Sequence, residues 1–153
     1  MYIIAEVGQA HDGSLGNALA FIRAVAAVNV NAIKFQMHIA EEESTKKEKF
    51  RINCFPQDLN RYQYWERTSF TFKEWELIAN ECQTNNIDLI ISPFTVKAVK
   101  HCQEIGVNAL KIGSGELFND QLVNACIKSL LRTIVSTGMA SWKEIELLIN
   151  KYY

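Results

Sequence analysis

The chain has 153 residues, 48% of them apolar and 22% charged, with 16 basic against 17 acidic side chains and a net charge of −1. That profile excludes a disordered chain, and the balanced charge carries no footprint of a nucleic-acid or membrane-surface partner. The length fits one ordinary domain, but it is short for a closed eight-stranded (β/α) barrel, which takes about 250 residues.

The chain opens directly into Tyr2-Ile3-Ile4-Ala5, with no basic n-region and no long apolar core, so no secretory signal is expected. No apolar run approaches the roughly 20 residues of a membrane span. Cys54, Cys82, Cys102 and Cys126 are far apart, with no C-x-x-C pair and no histidine at zinc spacing. Buried free thiols and a cytoplasmic protein are the expectation.

In chain order, residues 2–7 form a strand-length apolar run, followed by the turn signals Gly8, Asp12, Gly13 and Gly16. Residues 17–28 carry Leu19, Ile22 and Ala26 at helical spacing. A second strand is predicted at 32–36, and later ones at 87–92, 109–113 and 133–137. Helices are predicted at 72–83, 97–104, 117–129 and 142–150. Thr71 with Glu74, and Ser141 with Glu144, are capping boxes that open two of these. Strands alternating with helices imply a parallel sheet of the (β/α) TIM-barrel type, here about five of eight strand–helix units. Mostly continuous apolar strands fit a sheet covered on both faces.

Residues 38–69 interrupt this rhythm. They hold Glu41-Glu42-Glu43, the run Lys46-Lys47-Glu48-Lys49, Pro56, and the aromatics Tyr62, Tyr64 and Trp65. We read the segment as an insertion, its charges as a solvated surface and its aromatics as packing over the barrel rim. His11 and Asp12 read as turn residues, and His38 and His101 as solvent-exposed or structural.

Ligands of such sheets bind at the carboxyl ends of the strands. Those positions hold Glu6, then Lys34 with Gln36, then Ser92, then Lys111, Ser114 and Glu116, and finally Ser136 with Thr137. Two lysines, several hydroxyls and the Gly113–Gly115 turn suit a phosphate or a carboxylate. A lysine in an apolar strand is also compatible with structural pairing to Glu6 or Glu116. Ser92 before Pro93, and Ser136-Thr137-Gly138, are equally compatible with turns and caps.

At these positions the sequence resembles the sialic acid synthase family, which includes the pseudaminic and legionaminic acid synthases. The resemblance is carried by Ile4-Ala5-Glu6-Val7-Gly8 with His11-Asp12-Gly13, by Ile33-Lys34-Phe35-Gln36, and by Ser92-Pro93-Phe94. It continues through Lys111-Ile112-Gly113-Ser114-Gly115-Glu116 with Asn119, and ends at Ser136-Thr137-Gly138-Met139. The resemblance implies a condensation of phosphoenolpyruvate with an N-acetylated amino sugar, releasing phosphate and giving a nine-carbon 2-keto acid. It also implies a divalent metal (Mn or Mg) and a homodimer in the complete enzyme.

Carried over motif by motif, Lys34, Ser92, Lys111, Ser114 and Ser136 would hold phosphoenolpyruvate. Glu6 would be the catalytic carboxylate, while Gln36 and Glu116 would contact the sugar or support the site. Ala10 stands where the family usually has asparagine. The metal-binding histidines, the last strands and a small antifreeze-like domain are expected beyond residue 153, so no metal ligand is assigned here. The isolated chain is expected to be inactive. The rival readings are a non-catalytic remnant or partner subunit keeping an anion pocket, and a Schiff-base aldolase working through Lys34 or Lys111.

Overall fold

The computed structural model describes residues 1–50, 52 and 55–152. Five strands, β1 (Ile4–Gly8), β2 (Ala32–Met37), β3 (Asp88–Pro93), β4 (Ala109–Ile112) and β5 (Thr133–Val135), pair in parallel in sequence order. Each parallel pairing needs a crossover, and most of these are helical. Helix α1 (Leu15–Ala27) links β1 to β2, α4 (Phe72–Thr84) leads into β3, α5 (Val96–Ile105) joins β3 to β4, and α6 (Asp120–Lys128) joins β4 to β5. Helix α7 (Trp142–Tyr152) follows β5. This is a partial (β/α) TIM-barrel architecture.

Local chemistry sets the helix ends. Ser14 caps α1 by accepting from the Asn17 N–H, and both expected capping boxes form. The helix predicted at 117–129 starts later, at Asp120. A single 3-10 turn occupies Ser114–Glu116, and the Asn119 side chain accepts from the Leu122 N–H to begin α6. A residue whose side chain replaces the missing backbone acceptor makes a better helix start than Leu117.

Strand side chains alternate between two faces. On one, Ile33, Phe35, Met37, Leu89, Ile91, Leu110 and Ile112 pack with the inward stripes of α1, α4, α5 and α6 in the main core. Full burial of such a side chain contributes about 1.5–3 kcal/mol. On the other, Ala32, Ile90 and Ala109 with Ile134 form a smaller apolar cluster. Cys82, Cys102 and Cys126 are buried free thiols whose pKa burial raises, whereas Cys54 lies outside the described residues. No helix among the described residues is long and apolar enough to cross a membrane.

The segment between β2 and α4 holds two short helices, α2 (Ala40–Glu43) and α3 (Arg61–Thr68). Tyr64 stacks on Phe55 at 4.2 Å, so its ring packs within the segment. Arg67 ties the segment to the β1–α1 turn. Its Nε and Nη2 donate to the buried Asp58 carboxylate at 2.9 and 2.7 Å, and its Nη1 donates to Asp12 Oδ1 at 2.6 Å. The contact is tight enough to require glycine at position 13. With φ at +77°, a Cβ there would lie 2.2 Å from the Arg67 carbonyl oxygen.

Candidate functional site at the carboxyl ends of the strands

The alternation that builds the core also builds the site. Because Ile33, Phe35 and Met37 face the helices, Lys34 and Gln36 face the concave side. Cross-strand register extends the row: Glu6 pairs with Lys34, Gln36 with Ser92, and Lys111 with Ile134. Ile90 pairs with Ala109, so Ser92 and Lys111, each two residues further on, share a level and a face. The Ser136 N–H donates to the Ile112 carbonyl at 3.0 Å, which keeps Ser136 against the end of β4. Ser114 and Glu116 lie in the 3-10 turn just beyond β4. The candidate residues on these five strand ends therefore belong to one end of one sheet.

At the centre Lys34 Nζ lies 2.9 and 2.8 Å from the two oxygens of Glu6. The partners are unequally buried, with side-chain exposures of 6% for Lys34 and 54% for Glu6. Burial lowers the Lys34 pKa; the hydrogen bond and charge of Glu6 oppose this, and the charge of Lys111 adds to it. Lys111 is thus electrostatically coupled to Lys34, yet it takes no carboxylate partner among the described residues. Glu116 accepts instead from Asn119 Nδ2 at 3.0 Å. Of the two structural pairings open to the lysines, Lys34 with Glu6 forms and none forms at Glu116.

A register shift in β1 between Glu6 and Gly8 puts an extra residue beside Glu6. Such bulges re-aim neighbouring side chains. Gly8 has φ +57°, and a Cβ there would stand 3.5 Å from Glu6 Oε1 and 3.7 Å from Gln36 Nε2. Glycine meets the backbone requirement and leaves room for both side chains against it.

His11 lies in its turn but is also buried, and of the two readings of His38 the structural one holds. His11 is fully buried against Phe70, with ring centroids 4.5 Å apart, and its Nδ1 accepts from the Gly13 N–H at 3.1 Å. Burial pushes its pKa down to about 4, Asp12 opposes the shift, and His38 adds to it. His38 is buried and structural, whereas His101 is half-buried against Phe72. Trp65 lies on His38, so it packs over the rim. The charged run at 41–49 needs one correction: Glu43 is not solvated, because its carboxylate accepts from the Ile39 N–H and bonds to His38. Its partners stand only four and five residues back, but nothing in an acidic run distinguishes a carboxylate that turns back onto the strand end from its solvated neighbours.

Among the described residues no group of three His, Cys, Asp or Glu side chains could hold a metal ion. The donors present do not fit the divalent metal that the family resemblance implies. A groove of about 420 Å³, lined by Asn80, Asn86, Asp88 and Asn108, lies at the opposite, amino-terminal end of the sheet. That end of a barrel serves stability.

The architecture and its polar strand ends define a partial (β/α)-barrel protein with a candidate site at the carboxyl ends of its strands. The chain belongs to the NeuB family, whose model matches residues 21–152. It is 26% identical to the N,N'-diacetyllegionaminic acid synthase of Legionella pneumophila, an alignment covering 97% of this chain and 43% of that protein. It is 30% identical to a pseudaminic acid synthase of Campylobacter jejuni, over 95% of this chain and 43% of that one. The solved N-acetylneuraminic acid synthetase of Leptospira borgpetersenii, a citrate complex, superposes with a TM-score of 0.84 at 34% identity, over 99% of this chain and 49% of that one. The chain spans less than half the length of the curated relatives it matches. The resemblance to sialic, legionaminic and pseudaminic acid synthases is borne out.

Proposed function

We propose that this chain carries the phosphoenolpyruvate-binding part of a sugar-acid synthase site, in which phosphoenolpyruvate condenses with an N-acetylated amino sugar and phosphate is released. The observation that supports it best is the buried Lys34 ammonium at the concave end, its charge felt by Lys111, which has no carboxylate partner among the described residues. Phosphoenolpyruvate carries a phosphate and a carboxylate, and two cations with hydroxyls from Ser92, Ser114 and Ser136 offset its charge. The citrate in the Leptospira relative is likewise a carboxylate-rich anion. Glu6, half-exposed and anchored by Lys34, is the carboxylate available to orient a water for attack at C2. Gln36 and Glu116 flank the space for the sugar. Alignment of two substrates is itself worth up to roughly 7–11 kcal/mol in well-ordered cases.

Calorimetry with phosphoenolpyruvate on the 153-residue chain tests this. Lys111→Ala should weaken binding about 10–100-fold, the loss of one charge-assisted contact of about 1.5–3 kcal/mol. Equal affinity in the wild type and Lys111→Ala would sink the assignment. With N-acetylmannosamine and Mn²⁺ added, the isolated chain should release no phosphate at a steady rate.

One observation favours a second reading. Burial moves Lys34 toward the neutral amine that a Schiff-base aldolase needs. The two short contacts with Glu6 oppose it by holding the ammonium form. Borohydride trapping in the presence of pyruvate distinguishes them: a mass adduct on Lys34 supports the aldolase, and an unmodified mass supports the anion site.

A further inference from the structure

The ion pair at the centre of the site is lopsided. Lys34 Nζ is bracketed by the two Glu6 oxygens at 2.9 and 2.8 Å, and its side chain is 6% exposed against 54% for Glu6. Solvent reaches the carboxylate easily and the ammonium hardly at all. Among the described residues the Glu6 side chain has no other hydrogen-bond or ion-pair partner. Glu6 stands on β1, which pairs with β2 alone and is irregular just past this residue. Gly8, beside it, presents no side chain to hem the carboxylate in, whereas a Cβ there would meet Glu6 Oε1 at 3.5 Å.

The pair resembles what a bound ligand would make. A carboxylate facing an ammonium through both oxygens forms the same charge-assisted contact that a phosphate or carboxylate of phosphoenolpyruvate would form. Burial and the charge of Lys111 both work against the Lys34 ammonium, while Glu6 supports it. Glu6 thus keeps a desolvated cation charged until an external anion can do so. A second anion arriving beside Glu6 would meet like-charge repulsion, whereas exchange leaves one anion on the ammonium and returns Glu6 to water. Leaving costs Glu6 little, because a half-exposed carboxylate stays hydrated and its ion pair is screened.

We propose that the Glu6 carboxylate is a stand-in for the ligand: it occupies the anion seat on Lys34 in the free protein and swings out when an oxyanion of the ligand takes its place. The inference rests on the carboxyl-end site being the anion site, and it adds a self-blocking contact to that site. Displaced from Lys34, Glu6 stays on the same strand end, where it can accept from a water. The rival arrangement keeps the ion pair intact and adds the ligand alongside it.

Calorimetry with phosphoenolpyruvate on the 153-residue chain and two variants separates the two arrangements. Glu6→Gln keeps the shape and removes the charge. Glu6→Asp keeps the charge but draws it back by one carbon–carbon bond, about 1.5 Å, out of hydrogen-bond reach of Lys34. Both variants should bind more tightly than wild type by about threefold to fivefold, the size of an ion pair with one partner in solvent. A gain in Glu6→Gln with none in Glu6→Asp marks repulsion at a distance and overturns the proposal. Equal affinity in all three overturns it too, since the pair then stays intact in the complex. Weaker binding in both variants overturns it by making Glu6 the support of the Lys34 charge. Should Glu6→Gln fail to fold, Glu6→Asp decides alone, because only displacement predicts a gain there. No binding by wild type or either variant would count against the proposed function itself, an outcome distinct from all of these.

Discussion

The two faces of β2 are one residue apart and physically opposite. Ile33, Phe35 and Met37 are buried among the helices, where packing is their whole contribution. On the other face Lys34 and Gln36 are held by polar partners, Glu6 and His38. Stability and chemistry are therefore carried by alternate residues of the same strand. A substitution one position along should change its consequence in kind.

The largest effect is expected on the helix-facing side. Phe35 is fully buried, with its ring edge-on to Trp75 at 6.4 Å and near His11 at 5.9 Å. Phe35→Ala should cost about 3–5 kcal/mol, from lost transfer energy plus a cavity the rigid helices cannot close. Urea denaturation followed by circular dichroism measures it. A loss under about 1 kcal/mol would mean that this face is not the core and that the contrast is misdrawn.

The next effect sharpens the boundary between the faces, because His11 is a titratable side chain packed into the apolar side. Its folded pKa of about 4 lies below the ordinary 6.5, so the unfolded chain binds the extra proton first. The stability His11 contributes is complete above about pH 6.5 and is lost as pH falls toward about 4, below which no more is lost. The shift of 6.5 to 4 sets an upper limit of about 3 kcal/mol. Denaturation midpoints at pH 7 and pH 4.5 should differ in wild type by more than in His11→Gln. Equal pH dependence in the two would show that His11 is not the buried neutral group described.

Much of this was legible in the sequence, and the parts that were not have one cause. Strand alternation is a local property, so the strands and the concave row of Glu6, Lys34, Gln36, Ser92 and Lys111 could be read from spacing alone. Both capping boxes, Thr71 with Glu74 and Ser141 with Glu144, were legible for the same reason. The environment of His38 was not, because Trp65 and Phe94 meet it only through the path of the 38–69 segment. The same holds for Asp12, whose partner Arg67 arrives from α3. Gly13 signalled a turn but not the Arg67 carbonyl packed against it. Residues whose partners are distant in sequence leave no periodic trace.

The smallest effect on stability is expected where the effect on binding is large, at Lys34. Its ammonium is desolvated, and its only ion-pair partner among the described residues is half in solvent, where the attraction is screened. Lys34→Met keeps a long flexible side chain of similar shape and removes the buried charge. Glu6 is left without its partner but remains hydrated, so no uncompensated charge is stranded in the interior. The variant should lie within about 1 kcal/mol of wild type by urea denaturation, while calorimetry should detect no phosphoenolpyruvate binding. A loss of about 3 kcal/mol would instead make the Lys34–Glu6 pair a structural element, and the concave face would share the burden of holding the sheet together.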